Sequence, residues 1–375
     1  MTTAPRLVPD IATILRNETR DGRIVPFARF MELALYCPKL GYYERLEHTP
    51  GRSGDFYTSV SVGPLFGQML AAQFAEWFQP IRSERLQLVE AGGHDGQLAL
   101  DILSWFEGTN SPVWPRLEYA WIEPSPQRRA WQAERLARFA GRVRWFDSPS
   151  DLKPGSIHGI LFSNELLDAF PVTRLKWKAR HWIELGVAWS DAAGRFVWAE
   201  LPLSAGRAAE ILAVAGLSIP PELAAVLPDG FVVDVALQAA PWWTDAARAV
   251  ADGVLTTLDY GLTSEELLSP SRTEGTLRAY RNHHLEPDVL AFPGEADLTS
   301  HVNFTQLRLA GEAAGLKTSP LVSQSEFLTR IATRLWQDGG ASPSGPEVRQ
   351  FNTLTHPDHL GRRFRVFLQH RRNSP

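Results

Sequence analysis

Cysteine is almost absent from this chain: Cys37 is the only one among 375 residues. That excludes an intramolecular disulfide and a cysteine-held metal cluster. It fits a reducing compartment, and a cytoplasmic, unexported protein is expected. Long apolar runs are missing as well. No run of about 18 apolar residues occurs, and no apolar stretch follows a basic start, so neither membrane insertion nor a secretory signal is expected. A basic surplus is also lacking. Lys and Arg number 38 against 42 Asp and Glu, a net charge of −4, so nucleic acid is not an expected partner. There is no G-x-x-x-x-G-K-[ST] loop and no G-x-S-x-G elbow, which disfavours P-loop nucleotide chemistry and serine hydrolysis. Histidines cluster in "RNHH" (281–284) and "HVNF" (His301), but without tight ligand spacing. Structural roles are expected there, and no metal.

What is present is the composition of a globular protein with a substantial core: 44% hydrophobic residues, 21% charged and 13 tryptophans. Residues 1–80 read as a helical N-terminal region packing on the remainder. "FARFMELALY" and "GPLFGQMLAAQFAEWFQ" have helical spacing, with the loop "RSGDFYTSVSVG" between them. From residue 86 the rhythm becomes strand, helix, strand: "LQLVEA", a helix from 97, "LEYAWI", "PQRRAWQAERLARFA", "RVRWF" and "HGILFSN". Such alternation implies a parallel sheet covered on both faces. An insertion at about 172–250 interrupts this 81–375 unit. It begins with alternating segments that predict antiparallel strands, and an alanine-rich helical stretch follows. "GVLTTLDYG" returns to the buried-strand pattern, Asn303 and Gly315 read as the cap and stop of a helix, and "GRRFRVFLQHRR" reads as a terminal strand. "GGASPSGPE" (339–347) reads as a mobile loop.

The stretch "VEAGGHDGQLALDIL" carries the first chemistry. A glycine turn between strand and helix lets backbone approach a ligand, and the helix start favours an anion such as a carboxylate. Gly92, Gly93 and Gly96 supply the turn. Glu90, at the strand end, would repel a pyrophosphate but suits an ammonium or sulfonium group. S-adenosylmethionine has both, together with a carboxylate. Glu123 closes the next strand and is placed to accept the ribose hydroxyls. It lies 31 residues beyond Gly92, against roughly 20 in the dinucleotide fingerprint, which argues against a dehydrogenase. Asp147, after the third strand, is placed to meet an adenine amino group. For Glu123 and Asp147 the structural alternative is capping of the helices that follow. His94 stands where a second glycine is usual, and Gly93 before it is expected to take the strained conformation instead.

The fourth strand runs into "SNELLDAFP". Asn164 and Glu165 should sit at the carboxyl edge of the sheet, where open α/β folds bind ligands. A methyl-accepting nitrogen would wait there. Glu165 could pair with a guanidinium and orient its lone pair, and Asp168, three residues on, could share its helical face. Helix capping is the alternative. Tyr260, in "LDYG", either lines the pocket or packs.

"RSGDFYTSVSVGPLFGQ", "VEAGGHDGQLALDIL", "IEPS", "SNELLDAFPV", "LDYG", "GTLRAYRNH" and "GEADLTSHVNFTQL" occur in that order. Together, over roughly residues 20–370, they resemble the MidA family of S-adenosylmethionine-dependent methyltransferases. That family includes a mitochondrial respiratory-complex assembly factor that dimethylates an arginine. The resemblance implies a class I, Rossmann-like α/β fold with a seven-stranded, mostly parallel sheet and an inserted antiparallel segment. It implies cofactor contact at Glu90, Gly92, Gly96 and Glu123. It also implies protein arginine methylation, with a respiratory-complex subunit as a candidate substrate; Glu165, Asn164 and Asp168, at the sheet edge, are the candidate catalytic residues. The chain departs from the family at His94 and Asp95 in the glycine turn and at Val60 and Ser61 after "GDFYTS". A small-molecule N-methyltransferase and a non-catalytic assembly factor on the same scaffold remain as competing readings.

Overall fold

The computed structural model describes residues 10–45, 58–282, 284–337 and 342–372. Parts of three expected segments lie outside these residues: 52–57 of the loop "RSGDFYTSVSVG", His283 of "RNHH", and 339–341 of "GGASPSGPE".

Strand β1 is Val25–Pro26, followed by β2 (Leu86–Ala91), β3 (Leu117–Ile122), β4 (Val143–Phe146) and β5 (Ile157–Asn164). Next come β6 (Thr173–Lys178), β7 (His181–Ser190), β8 (Arg195–Leu201), β9 (Val232–Val235) and β10 (Val250–Leu262). The later strands are β11 (Arg278–Arg281), β12 (His284–Glu286), β13 (Asp297–Thr299), β14 (Val302–Asn303), β15 (Lys317–Thr318), β16 (Val322–Ser323) and β17 (Phe364–Arg371).

The main sheet runs β15-β17-β10-β5-β2-β3-β4, with β14 beside β10 and β16 beside β17. It therefore has nine strands among the described residues, where the family resemblance implied seven, and it is mixed. The pairs β10–β5, β5–β2, β2–β3 and β3–β4 are parallel, while β17 runs antiparallel to β10 and to both short strands beside it. Strands of two residues, such as β14 and β16, are too short to carry a period, so no sequence pattern announces them.

Apolar alternation places a core on each face. On one side Leu88, Ile160 and Phe162 pack with the helices Leu65–Phe78 and Gln97–Gly108. On the other, Val89, Ala91 and Leu161 pack with the helices Ala239–Ala249 and Phe304–Ala313. Asn303 does cap the latter helix, accepting from the backbone N–H groups of Thr305 and Gln306. Gly315 follows its end at φ 90°.

A second sheet, β1-β7-β6-β9 with β8 beside β7, is antiparallel throughout. Through Val25 and Pro26 the N-terminal region joins this inserted sheet. A third, three-stranded sheet orders β12-β11-β13. In the main sheet the chain moves outward from β2 to β3 and β4, then returns to β5 on the other side of β2. That reversal is a topological switch point, where the carboxyl ends of the strands open a crevice.

Candidate cofactor and acceptor site

The crevice is a cavity of about 680 Å³, within the range of small-molecule sites. The ends of β2, β3 and β5 form its floor. Glu90, Gly92, Gly93, Glu123, Asp147, Asn164, Glu165 and Asp168 all line it, whereas Gly96 does not.

Glu90 follows Leu88 on the same face of β2 and lies in register with Trp121 of β3. Its Oε2 accepts the Tyr119 hydroxyl at 2.6 Å and the Trp121 indole N–H at 2.7 Å. Burial pushes its pKa up to about 7 against those donors. A cation bound beside it would offset that desolvation.

The turn after β2 differs from the expectation in one respect. Gly92 and Gly96 have positive φ, 72° and 86°, but Gly93 does not; His94 itself stands at φ 42°. Gly93 is required for space instead. A Cβ there would lie 2.4 Å from Trp121 Nε1 and 2.9 Å from Glu90 Oε2. Gln132 steadies the turn by donating to the His94 carbonyl at 3.0 Å, and His94 Nε2 is buried with no hydrogen-bond partner. Gly96 lies off the cavity wall; at φ 86° it is the N-cap of the following helix, near Gln132 and Trp121.

Glu123 is fully buried. Its Oε1 accepts the Ser125 backbone N–H at 2.9 Å and Arg128 Nε at 3.0 Å, and Gln132 Nε2 lies 3.5 Å from Oε2. Burial raises its pKa, and Arg128 opposes the rise. Asp147 is exposed and pairs with Arg129.

At the other end, β5 finishes at Asn164. Glu165 adopts φ 50°, so the chain leaves the strand in a left-handed turn and only Leu167–Ala169 forms a 3-10 turn. Glu165 and Asp168 therefore do not share a helical face, though both line the cavity. Asp259 explains the bend: its Oδ2 accepts the backbone N–H groups of Leu166 at 3.2 Å and Leu167 at 2.9 Å. Side-chain capture of these donors replaces the helix that the sequence pattern suggested.

Glu165 Oε1 accepts Asn164 Nδ2 at 3.1 Å and the Ser59 backbone N–H at 3.2 Å. Burial pushes its pKa up to about 8, with Asp259 and Asp297 adding to the rise. Asp168 is raised well above the usual carboxylate range by burial and by Asp259, Asp297 and Glu165. Asn164 Oδ1 is buried with no hydrogen-bond partner.

Sequence reasoning did not single out three further residues that line the cavity, Tyr36, Tyr43 and Asp297. The Tyr43 hydroxyl donates to Asp297 Oδ1 at 2.7 Å, and the Tyr36 hydroxyl donates to the Ala169 carbonyl at 2.9 Å. "GEADLTSHV" carried Asp297 only as part of a resemblance, and no local spacing links it to Tyr43. Tyr260 packs rather than lining the cavity, its ring 3.9 Å from that of Phe364. Burial, helped by nearby Arg272 and Arg278, lowers the pKa of His301 to about 4. No group of acids, histidines or cysteines able to hold a metal occurs among the described residues, and none of their helices is long and apolar enough to cross a membrane.

The sequence model of a family described as "Putative S-adenosyl-L-methionine-dependent methyltransferase" matches residues 69–322. Protein arginine methyltransferase NDUFAF7, mitochondrial, of Danio rerio is 26% identical, over 92% of this chain and 82% of its own length. The Mus musculus protein of the same name is 28% identical, over 93% and 82%. A Burkholderia thailandensis protein crystallised with S-adenosyl-homocysteine is 31% identical. Its TM-score is 0.82, over 96% of this chain and 92% of that one. These similarities bear out the family resemblance seen in the sequence and the cofactor expected from it. The curated relatives are named as mitochondrial, which overturns the cytoplasmic expectation. A single cysteine speaks only of disulfides and does not separate one disulfide-poor compartment from another.

Proposed function

Because the chain belongs to the S-adenosyl-L-methionine-dependent methyltransferase family, we propose a protein arginine side chain as the acceptor of its methyl group. One observation carries this reading. The end of the cavity at β5 gathers Glu165 and Asp168 over Asp259, and among the described residues none of the three has a Lys or Arg ion pair. Buried acids without a cation are costly, and a guanidinium entering between them would offset that cost. The relatives named as protein arginine methyltransferases support the same class of acceptor.

The residues then divide by role. Glu90 would face the positive groups of the cofactor, Glu123 its ribose and Asp147 its adenine, with Gly92 and Gly93 allowing close approach. Bound S-adenosylmethionine supplies an electrophilic methyl group on a sulfonium. A guanidinium is protonated in water, so the protein must orient it and take a proton as the nitrogen is methylated. Glu165, poised near neutrality, is the acid-base group for that step. Asn164 holds Glu165 through Oε1, and Asp168 gives the second carboxylate for the cation. A respiratory-complex subunit as the protein that bears the arginine is the finer form of this proposal. It rests on the family resemblance and on the mitochondrial relatives.

Single-turnover transfer from radiolabelled cofactor to proteins of a mitochondrial lysate tests the reading, followed by acid hydrolysis and amino-acid analysis. Methylarginine should carry the label. Glu165→Gln should retain S-adenosylhomocysteine affinity and slow transfer at least about 10²-fold, the low end for general acid–base effects. Label found only in small molecules would replace arginine with a small-molecule acceptor. No transfer at all would leave a scaffold that binds the cofactor.

A further inference from the structure

The N-terminal segment reaches the cofactor end of the cavity through Glu44. This residue ends the turn Tyr42–Glu44 and lines the cavity. Its Oε2 accepts the Ser125 hydroxyl at 2.8 Å, and its Oε1 lies 3.8 Å from an Arg128 amino group. Arg128 turns its Nε to Glu123 Oε1 at 3.0 Å. One cation thus lies between two carboxylates, and all three side chains are at most 11% exposed. A buried charged triad of this kind is poor evidence of stabilisation, since desolvation offsets much of the attraction. It does fix geometry. The family match begins at residue 69, so Glu44 lies outside the matched region while Glu123 and Arg128 lie within it.

We propose that Arg128, braced by Glu44, is a positioning residue that presets Glu123 for the cofactor ribose. The N-terminal segment is thereby a working part of the cofactor site. This rests on the reading of Glu123 as the ribose ligand. Ser125 and Arg128 both engage Oε1, which sets the plane of the carboxylate. Among the described residues Oε2 meets only the distant Gln132 amide at 3.5 Å and keeps lone pairs for incoming hydroxyl donors. The Glu123 side chain is 1% exposed, so only an edge of it can be reached, and the orientation of that edge decides whether a ribose is met. Arg128 also opposes the rise in pKa that burial imposes on the carboxylate. Glu44 holds Arg128 from the far side and directs its Nε inward.

The test is calorimetric binding to the full chain of S-adenosylhomocysteine and of its 2′,3′-dideoxy analogue, which lacks the ribose hydroxyls. The variants are Glu123→Gln, Arg128→Gln, Arg128→Lys and Glu44→Gln. Arg128→Gln should weaken S-adenosylhomocysteine about tenfold, and Glu44→Gln about threefold, the scale of a charged hydrogen bond and of its support. Both should bind the dideoxy analogue as the unaltered protein does. Arg128→Lys should fall between, because an ammonium keeps the charge but cannot span both acids with a planar fork. If Arg128→Gln and Glu44→Gln weaken both ligands equally, or neither, the positioning role is wrong even where Glu123→Gln behaves as expected. If Glu123→Gln leaves the discrimination between the two ligands intact, the ribose reading itself falls, and the role of Arg128 falls with it.

Discussion

Gly93→Ala should damage this protein more than its modest chemistry suggests. The added Cβ would stand 2.4 Å from Trp121 Nε1 and 2.9 Å from Glu90 Oε2. Neither neighbour can withdraw easily. Trp121 is fully buried and stacked on Trp145 at 5.5 Å, and Glu90 is held by Tyr119 and Trp121. The loop must lift or the Trp121–Glu90 hydrogen bond must break. Overpacking costs about 1–3 kcal/mol, and a stranded buried indole N–H about 1–3 kcal/mol more. The sum, about 2–6 kcal/mol, is a large part of an ordinary folding free energy. At about 2.1 cal/mol/K per residue, 375 residues give an unfolding entropy of about 0.8 kcal/mol/K, so the melting temperature should fall by about 3–8 °C. Cofactor affinity should fall with it, since the same loop lies against the cavity. Calorimetric melts and titration with S-adenosylhomocysteine measure both. Gly108→Ala is the control, because nothing lies within 4 Å of its added Cβ. A Gly93→Ala protein that melts and binds like the unaltered one would refute the reasoning.

His94→Gly should be neutral or stabilising by up to about 1 kcal/mol, since glycine accepts a positive φ freely, and it should keep cofactor affinity; a drop in melting temperature would count against this. Asp259→Asn turns an acceptor into a donor facing the N–H groups of Leu166, Leu167 or Tyr260. It should cost about 1–3 kcal/mol in thermal melts and slow transfer by displacing Glu165, and normal transfer would dismiss Asp259 as the clamp of that turn. Stability of the cofactor-free protein should fall between pH 6.5 and 8.5, because Glu165 titrates at about 8 when folded against an ordinary 4.5, so the native state holds the extra proton and loses that advantage as pH rises. The loss from Glu165 across that window is about 2 kcal/mol, at about 1.4 kcal/mol per pKa unit, and Glu165→Gln should remove that share of the slope and leave the share of Glu90 and Asp259, both raised to about 7; His301 titrates below the window and does not contribute.

The parts of the fold legible in the sequence are those fixed by local pattern. "LQLVEA" is strand β2 with its expected bounds, because a strand buried on both faces is a short apolar run, and Glu90 stood out as its one charged member. That Glu165 and Asp168 line the cavity is legible for a similar reason: they follow closely on a buried strand end. Contacts that close over long distances were not legible. Gly93 is small because of Trp121, 28 residues later, while local reasoning weighed only the φ of His94. Tyr43 meets Asp297 across 254 residues, and Asp259 bends the turn at Leu166 and Leu167 from more than 90 residues away. No helical or strand period records such a meeting. The mixed edge of the sheet escaped for a different reason, as strands of two residues are defined only by their partners.

The two ends of the cavity differ in how their acids are held, and that difference bears on the proposed division between cofactor binding and chemistry. At the cofactor end, Glu90 is fixed by an indole and a phenol, and Glu123 by an arginine and a backbone N–H. These donors hold the carboxylates in place and oppose the rise in pKa that burial imposes on both. At the acceptor end, Glu165 has an amide and one backbone N–H, and Asp168 has three acids around it. Burial, with neighbouring acids adding to it, raises Glu165 to about 8 and Asp168 well above the usual carboxylate range, while at the cofactor end Glu90 rises only to about 7 against its donors. On the proposed reading, the proton lost by a nitrogen as it is methylated would pass to the acid beside it, and Glu165, with the higher pKa and no Lys or Arg ion pair among the described residues, is the group suited to hold it.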